Sequence, residues 1–262
     1  MLDRRMVMAG MAGVAAGPAA AAEAVPHNVL ELRQYKIVRG RRDEMIALFE
    51  RQFVESQEVL GMRIAGTFCD LDDPDRFTWL RTFPDMKVRE RQLNAFYFGP
   101  VWQAHRGEAN PLLDDNDNVL LLKPAVPGLA LAPPAGPRPA VEGRGGLVVA
   151  TIHYLWKDPT EGFATFFAER MAPELAAAGL PVLGAYVPEK SENTFPRLPV
   201  RQHEKAFVWF ARTDDAEAHA AARKRLLVRP TWRAEIGPAL AGYEERSAQV
   251  LRLSPTPRSA LR

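Results

Sequence analysis

The sequence predicts an α+β protein built from two tandem βαββαβ units, the ferredoxin-like arrangement, and three observations carry that expectation. The chain matches itself at an offset of 118, which places Phe49 on Phe167, Gly61 on Gly179, Gly66 on Gly184 and Phe68 on Tyr186. At an offset of 130 it matches again, with Phe77 on Phe207, Trp79 on Trp209, Pro100 on Pro230 and Trp102 on Trp232; at 131, Val119-Leu120 falls on Val250-Leu251. Both copies also run through the same succession of strand-like and helix-like patterns. The change of offset puts an insertion in the second copy, in the polar, proline-bearing stretch Ser191 to Gln202.

Each copy opens on a β-rich stretch, Val29 to Val38 and Leu147 to Trp156. A helix follows, because Met45, Leu48, Phe49 and Phe53 recur at helical spacing and so do Phe163, Phe166, Phe167 and Met171. Two strands come next, Arg63 to Asp70 and Arg76 to Phe83, repeated as Val182 to Val187 and Lys205 to Arg212. A polar second helical segment and a closing strand, Asn118 to Lys123 or Gln249 to Leu253, complete each copy. Helices cover only one face of such a sheet, so the other face needs a partner, which a second copy on the same chain supplies. The units span 27–124 and 147–255, joined by a Pro/Gly/Ala-rich linker, 125–146, and followed by a tail, 256–262.

Ahead of them, residues 1–24 read as an export signal: Arg4 and Arg5, the apolar run Met6 to Gly17, then Pro18 and an alanine string. Adjacent arginines before a weakly hydrophobic run resemble a bacterial twin-arginine signal, with general export as the alternative. The run is too short for the roughly 20 residues that cross a bilayer, so the expected mature protein is periplasmic or secreted, with no stable membrane anchor.

Composition narrows the functional classes. The chain is 47% hydrophobic with a net charge of +2, and its 34 basic residues are scattered rather than striped, which argues against a nucleic-acid surface. One cysteine, Cys69, excludes an intrachain disulfide and a cysteine-pair zinc site. The five histidines show no His-Glu-x-x-His spacing, and the Asp70–Asp75 and Asp114–Asp117 clusters lack the calcium-loop pattern, so no metal is expected. No nucleophile elbow or phosphate loop is present.

Glu31-Leu32-Arg33-Gln34-Tyr35, followed by Gly40 and a helix, then Gly66-Thr67-Phe68 and the Phe77/Trp79 strand, resembles the NIPSNAP family, once in each copy. That resemblance implies the dimeric α+β barrel superfamily, in which two ferredoxin-like units pack sheet to sheet around a pocket. The second copy departs from the opening motif, with Val149, Thr151 and His153 standing where the first has Glu31, Arg33 and Tyr35.

Strand alternation puts Leu30 and Leu32 on one face and Glu31, Arg33 and Tyr35 on the other. The leucines suit the helix-covered face. Glu31, Arg33 and Tyr35 are therefore expected in the space between the sheets, joined by Thr151 and His153, with Trp79 and Trp209 as further ligand-binding residues. An arginine beside an acid and a phenol suits a carboxylate, or a carbonyl that becomes an enolate. The leading expectation is binding of a small apolar or carboxylated molecule without a cofactor. The alternatives are a cofactor-independent oxygenase, isomerase or lyase, with Arg33, Tyr35 and His153 catalytic; a haem variant ligated by His153; and a structural partner of another envelope protein. Tandem copies make an intrachain pseudo-dimer, which suits either a monomer or a homodimer. The blander alternative is an internal Glu31–Arg33 pair with Tyr35 and His153 as satisfied interior residues.

Overall fold

The computed structural model describes residues 26–131, 138–141 and 145–262; the export signal expected at 1–24 lies outside them. The first unit contains β1 (Val29–Ile37), α1 (Arg42–Leu48), a π-helical turn (Phe49–Phe53), α2 (Val54–Glu58), β2 (Arg63–Asp70), β3 (Arg76–Phe83), α3 (Met86–Tyr97), α4 (Pro100–Ala109), the short β4 (Leu113–Asp115) and β5 (Val119–Pro124). The second repeats it with β6 (Leu147–Leu155), α5 (Phe163–Phe166), a π-helical turn (Phe167–Met171), α6 (Ala172–Ala177), β7 (Val182–Pro188), β8 (Ala206–Thr213), α7 (Ala216–Val228), α8 (Gly237–Tyr243) and β9 (Glu244–Pro255).

Within the first unit the strands lie in the order β2-β3-β1-β5, and within the second in the equivalent order β7-β8-β6-β9. The second strand of each unit then pairs with the last strand of the other, β2 with β9 and β5 with β7. Eight antiparallel strands thereby close into a barrel inside one chain, and β4 adds to β1 beyond the ring. Closure removes the exposed strand edges that a lone unit would leave.

Local features recur at matching positions. Gly61 and Gly179 both end their helical segments at φ 91°, in the left-handed region where a side chain is strained. A bulge precedes Gly66 in β2 and Gly184 in β7. Asp85 caps α3 by accepting from the Val88 amide at 2.7 Å, and Asp215 caps α7 by accepting from the Ala218 amide at 2.7 Å.

The barrel interior is packed mainly with apolar side chains. Leu30, Leu32, Leu80 and Leu120 from the first unit meet Val148, Ala150, Ile152, Val208 and Phe210 from the second. Each of the Leu, Ile, Val and Phe side chains, fully buried, stabilises the fold by about 1.5–3 kcal/mol relative to exposure. This corrects the expected location of the pocket. The leucines of β1 face the sheet-to-sheet space, while Tyr35, Phe77 and Trp79 pack in a separate core beneath the helices of their own unit. Both faces of β1 are buried, so alternation reveals which residues share a face without revealing which face is inside. An eight-stranded interior is narrow enough for side chains to fill, and here they are mainly apolar, with Gln249 donating to Gln34 at 3.1 Å as a polar pair.

The joining segments pack more than their composition suggests. From the linker, Leu131 is buried in the barrel core and its amide donates to the Tyr186 hydroxyl at 2.6 Å. The closing strand is longer than the expected Gln249–Leu253, because β9 pairs with β6 from Glu244 onward and with β2 of the other unit as far as Pro255. The tail continues along β2: the Thr256 and Leu261 amides donate to the Thr67 and Ala65 carbonyls at 2.9 and 3.0 Å.

Candidate functional site

Strand β1 presents Glu31, Arg33 and Tyr35 to the helix layer, and its register with β3 places Glu31 opposite Arg81, Arg33 opposite Trp79 and Tyr35 opposite Phe77. From α3, Arg89 reaches the same place. Glu31, Arg33, Arg81 and Arg89 are all inaccessible to solvent. One Glu31 oxygen lies 3.0 Å from Arg33 and 2.6 Å from Arg81, and the other lies 2.7 Å from Arg89. Arg81 also donates to Gln57 at 2.7 Å. Burial alone would push the Glu31 carboxyl up, but Arg81, Arg89 and Arg33 together hold it well below the usual carboxylate range.

Three guanidiniums around a single carboxylate leave two positive charges in excess, in a place where uncompensated charge is costly. Arg33 spends its Nε on the Tyr35 hydroxyl, at 2.8 Å, and one terminal nitrogen on Glu31. Among the described residues, its buried Nη2 has no partner, and neither does the buried indole Nε1 of Trp79. These groups are close neighbours: the Arg33 guanidinium carbon sits 5.2 Å from the Tyr35 ring centroid and 5.4 Å from that of Trp79. Tyr35 accepts from Arg33, so its own O–H remains to donate. Burial pushes the Tyr35 phenol up to about 12, against the opposing pull of Arg33, so it keeps its proton at neutral pH.

Tyr35 and Trp79 form part of the wall of a cavity of about 250 Å³ between the sheet and the helices. Phe49 and Phe53 enter it from the π-helical turn, Phe96 and Tyr97 from α3, and Trp102 from α4. Its mouth carries the exposed residues Gln103, Arg106, Asn110 and Arg197. No Asp, Glu or His lines it. The site is thus apolar in its walls, rich in donors at its base and basic at its rim.

The insertion of the second unit closes this cavity. Phe195 and Leu198 are buried in the first unit's helix-side core, and Phe195 stacks on Tyr97 with centroids 5.4 Å apart. Asn193 organises the segment, donating to the Leu198 carbonyl at 2.9 Å while its Oδ1 accepts from the Phe195 amide and from Arg89, both at 3.1 Å. The Arg201 amide ties the far end to the Val119 carbonyl at 2.8 Å.

Thr151 and His153 face the helices of the second unit and line a different cavity, of about 320 Å³, together with Trp209, His219 and Glu244. His153 Nδ1 lies 2.7 Å from Glu244, and its Nε2 accepts from Trp209 Nε1 at 3.0 Å. That pattern selects the tautomer with the proton on Nδ1 and occupies both ring nitrogens. His153 therefore offers no free nitrogen as a haem ligand, and it does not share a site with Arg33. The two lie on opposite sides of the barrel, because each unit turns its polar strand face toward its own helices. Cys69 is half-buried, with burial pushing its thiol up.

The residues of this site that sequence reasoning missed are Arg81, Arg89 and Gln57, and although it located the insertion it did not place it against the first unit. Arg81 was legible in principle, as a charged residue alternating with Trp79 and Phe77 in a buried strand. Nothing local marks Arg89 or Phe195 as neighbours of Glu31 or Tyr97.

Comparison with known proteins accords with this geometry. The NIPSNAP family model matches residues 30–126, the span of the first unit that carries the arginine cluster. The first unit thus carries the NIPSNAP likeness, and the match does not extend to the second. A solved NIPSNAP-like domain protein from Burkholderia xenovorans is 24% identical, covering 42% of this chain and 93% of its own, with a TM-score of 0.35. Two further solved structures are similar over nearly the whole chain, both provisionally described as monooxygenases. The one from Lactobacillus acidophilus is 14% identical, covering 89% of this chain and 98% of its own at a TM-score of 0.54. The one from Fusobacterium nucleatum is 11% identical, covering 90% and 96% at a TM-score of 0.55. These likenesses extend the α+β barrel fold beyond the NIPSNAP unit to both units. No curated protein matches the sequence.

Proposed function

We propose that the protein binds a small, flat, largely apolar anion in the cavity of the NIPSNAP unit, with the negative oxygen held by Arg33, Tyr35 and Trp79. The observation that carries this is the buried excess of guanidinium over carboxylate, combined with two donors, Arg33 Nη2 and Trp79 Nε1, that have no acceptor. A bound carboxylate or phenolate would satisfy both. The aromatic walls suit a ring, and about 250 Å³ is below the roughly 300–1,000 Å³ of drug-sized sites, which favours a one- or two-ring ligand. Export through the 1–24 segment belongs to the same reading and would make this an envelope or extracellular binding protein.

Titration calorimetry with benzoate tests it. Arg33→Ala should weaken benzoate by about 30-fold or more, the consequence of losing a buried charged partner worth roughly 2–5 kcal/mol, with circular dichroism unchanged. Equal affinity of the unsubstituted protein for benzoate and neutral benzamide would sink the reading.

A second reading, cofactor-independent oxygenase, isomerase or lyase chemistry, has one observation in its favour. Arg33 and a Tyr35 phenol that keeps its proton would hold an enolate oxygen as well as a carboxylate. The description of the two whole-chain structural neighbours as monooxygenases points the same way. Since the lining supplies no carboxylate or imidazole to take a proton, such a substrate must itself be acidic enough to arrive ionised.

A further inference from the structure

We infer that the insertion of the second unit is a selectivity cap for the first unit's cavity, with Arg197 reading the far end of the ligand, so that the preferred ligand is a flat aromatic molecule with acidic groups at opposite ends. This rests on the anion-binding reading of the same cavity and adds a second contact to it. Three observations carry it. The cap is fastened to the first unit at both ends and at its middle, through Asn193 to Arg89, through the buried Phe195 and Leu198, and through Arg201 to Val119. It is therefore part of the cavity's wall, although it belongs to the other repeat.

Arg197 is held at the rim rather than sweeping through solvent: its guanidinium carbon lies 4.9 Å from the Phe98 ring centroid. Among the described residues, neither Arg197 nor Arg106, the other basic residue of the lining, has an acidic partner, and none of the lining residues is acidic. The cavity is thus basic at its mouth and apolar along its walls, with the Arg33 guanidinium directly behind the Tyr35 and Trp79 side chains of its lining. A ring that presents one acidic group to Arg33 directs a group in the para position toward the opening, where Arg197 and Arg106 stand.

Arg197 is exposed, so Arg197→Ala should fold normally, and it can be tested with two probes, benzoate and benzene-1,4-dicarboxylate. Binding is read by calorimetry and by quenching of tryptophan fluorescence, since Trp79 and Trp102 line the cavity. The unsubstituted protein should prefer the dicarboxylate by about fivefold at low salt, as expected for one partly exposed ion pair, and the preference should shrink as salt rises. Arg197→Ala should abolish the preference while leaving benzoate within about twofold. Arg197→Lys should restore part of it. If benzoate binds and depends on Arg33 but the dicarboxylate preference is absent, or survives in Arg197→Ala, the cap inference fails while the anion reading stands. If neither acid binds, both fail.

Discussion

Two units of one topology, related by a repeat in which even the bulges and helix caps coincide, have opposite polarity beneath their helices. At corresponding positions the first has Glu31, Arg33, Tyr35, Gln57, Arg81 and Arg89, and the second Val149, Thr151, His153, Leu175, Ala211 and His219. The strand registers are the same: Glu31 faces Arg81 where Val149 faces Ala211, and Arg33 faces Trp79 where Thr151 faces Trp209. Trp79 is left with an idle indole N–H, whereas Trp209 donates to His153. The second unit has a satisfied, nearly charge-free interior and contributes its insertion as a wall for the first. The same fold therefore accommodates either a paired charged cluster or largely uncharged packing at these positions, so the topology alone does not demand the charges of the first unit.

The sharpest way to break this contrast is Glu31→Gln. It would strand three buried guanidiniums, and denaturant unfolding should show a loss of about 3–5 kcal/mol, against about 2 kcal/mol for Val149→Ala at the matching position, where two buried carbons are removed. The same residue sets an acid limit. Because the folded-state pKa of Glu31 is depressed, its stabilisation is complete above the ordinary carboxylate range and declines as pH falls below about 4.5 toward the folded value. Acid unfolding curves should therefore show a Glu31-dependent loss on the low side of that pH that the Gln variant lacks. Similar stabilities for the Gln variant and its parent would mean that the cluster is not the isolated charge excess described above.

The tryptophan pair sharpens the comparison at a smaller scale. Trp209→Phe removes the donor to His153 Nε2 and should cost about 1–3 kcal/mol, while Trp79→Phe loses no protein hydrogen bond and should cost less, its effect appearing in benzoate affinity instead. Thermal melts of both variants would reveal a reversed order, which would place the working site in the second unit. The smallest effect is a control on the repeat itself: Asp85→Ala and Asp215→Ala remove equivalent caps, and each should cost about 1 kcal/mol, the two values differing by little.

Much of the fold was legible because it is local and duplicated. Phe49 and Phe167, Trp79 and Trp209, and Gly61 and Gly179 recur at fixed offsets because each unit solves the same packing problem, and β2 and β3 run over the expected Arg63–Asp70 and Arg76–Phe83. The site was half legible. Glu31, Arg33 and Tyr35 stand together as alternation requires, and Trp79 joins them, but they occupy the face opposite to the one expected, and His153 and Thr151 belong to another cavity. Burial is what hid the difference: nearly every residue of β1 is buried, so hydrophobicity does not distinguish the barrel side from the helix side.

By itself, then, the sequence determined the repeat, the order of strands and helices within each unit, and the residues that share a strand face, since all of these follow from spacing along the chain. Only the tertiary structure decided which face turns inward, that the barrel closes through β2–β9 and β5–β7, that Arg89 reaches Glu31, and that an insertion in one unit covers the cavity of the other. Those relations join residues that are 58 to 104 positions apart in the case of Arg89 with Glu31 and Asn193. No periodicity encodes them, because they arise from how two finished sheets meet.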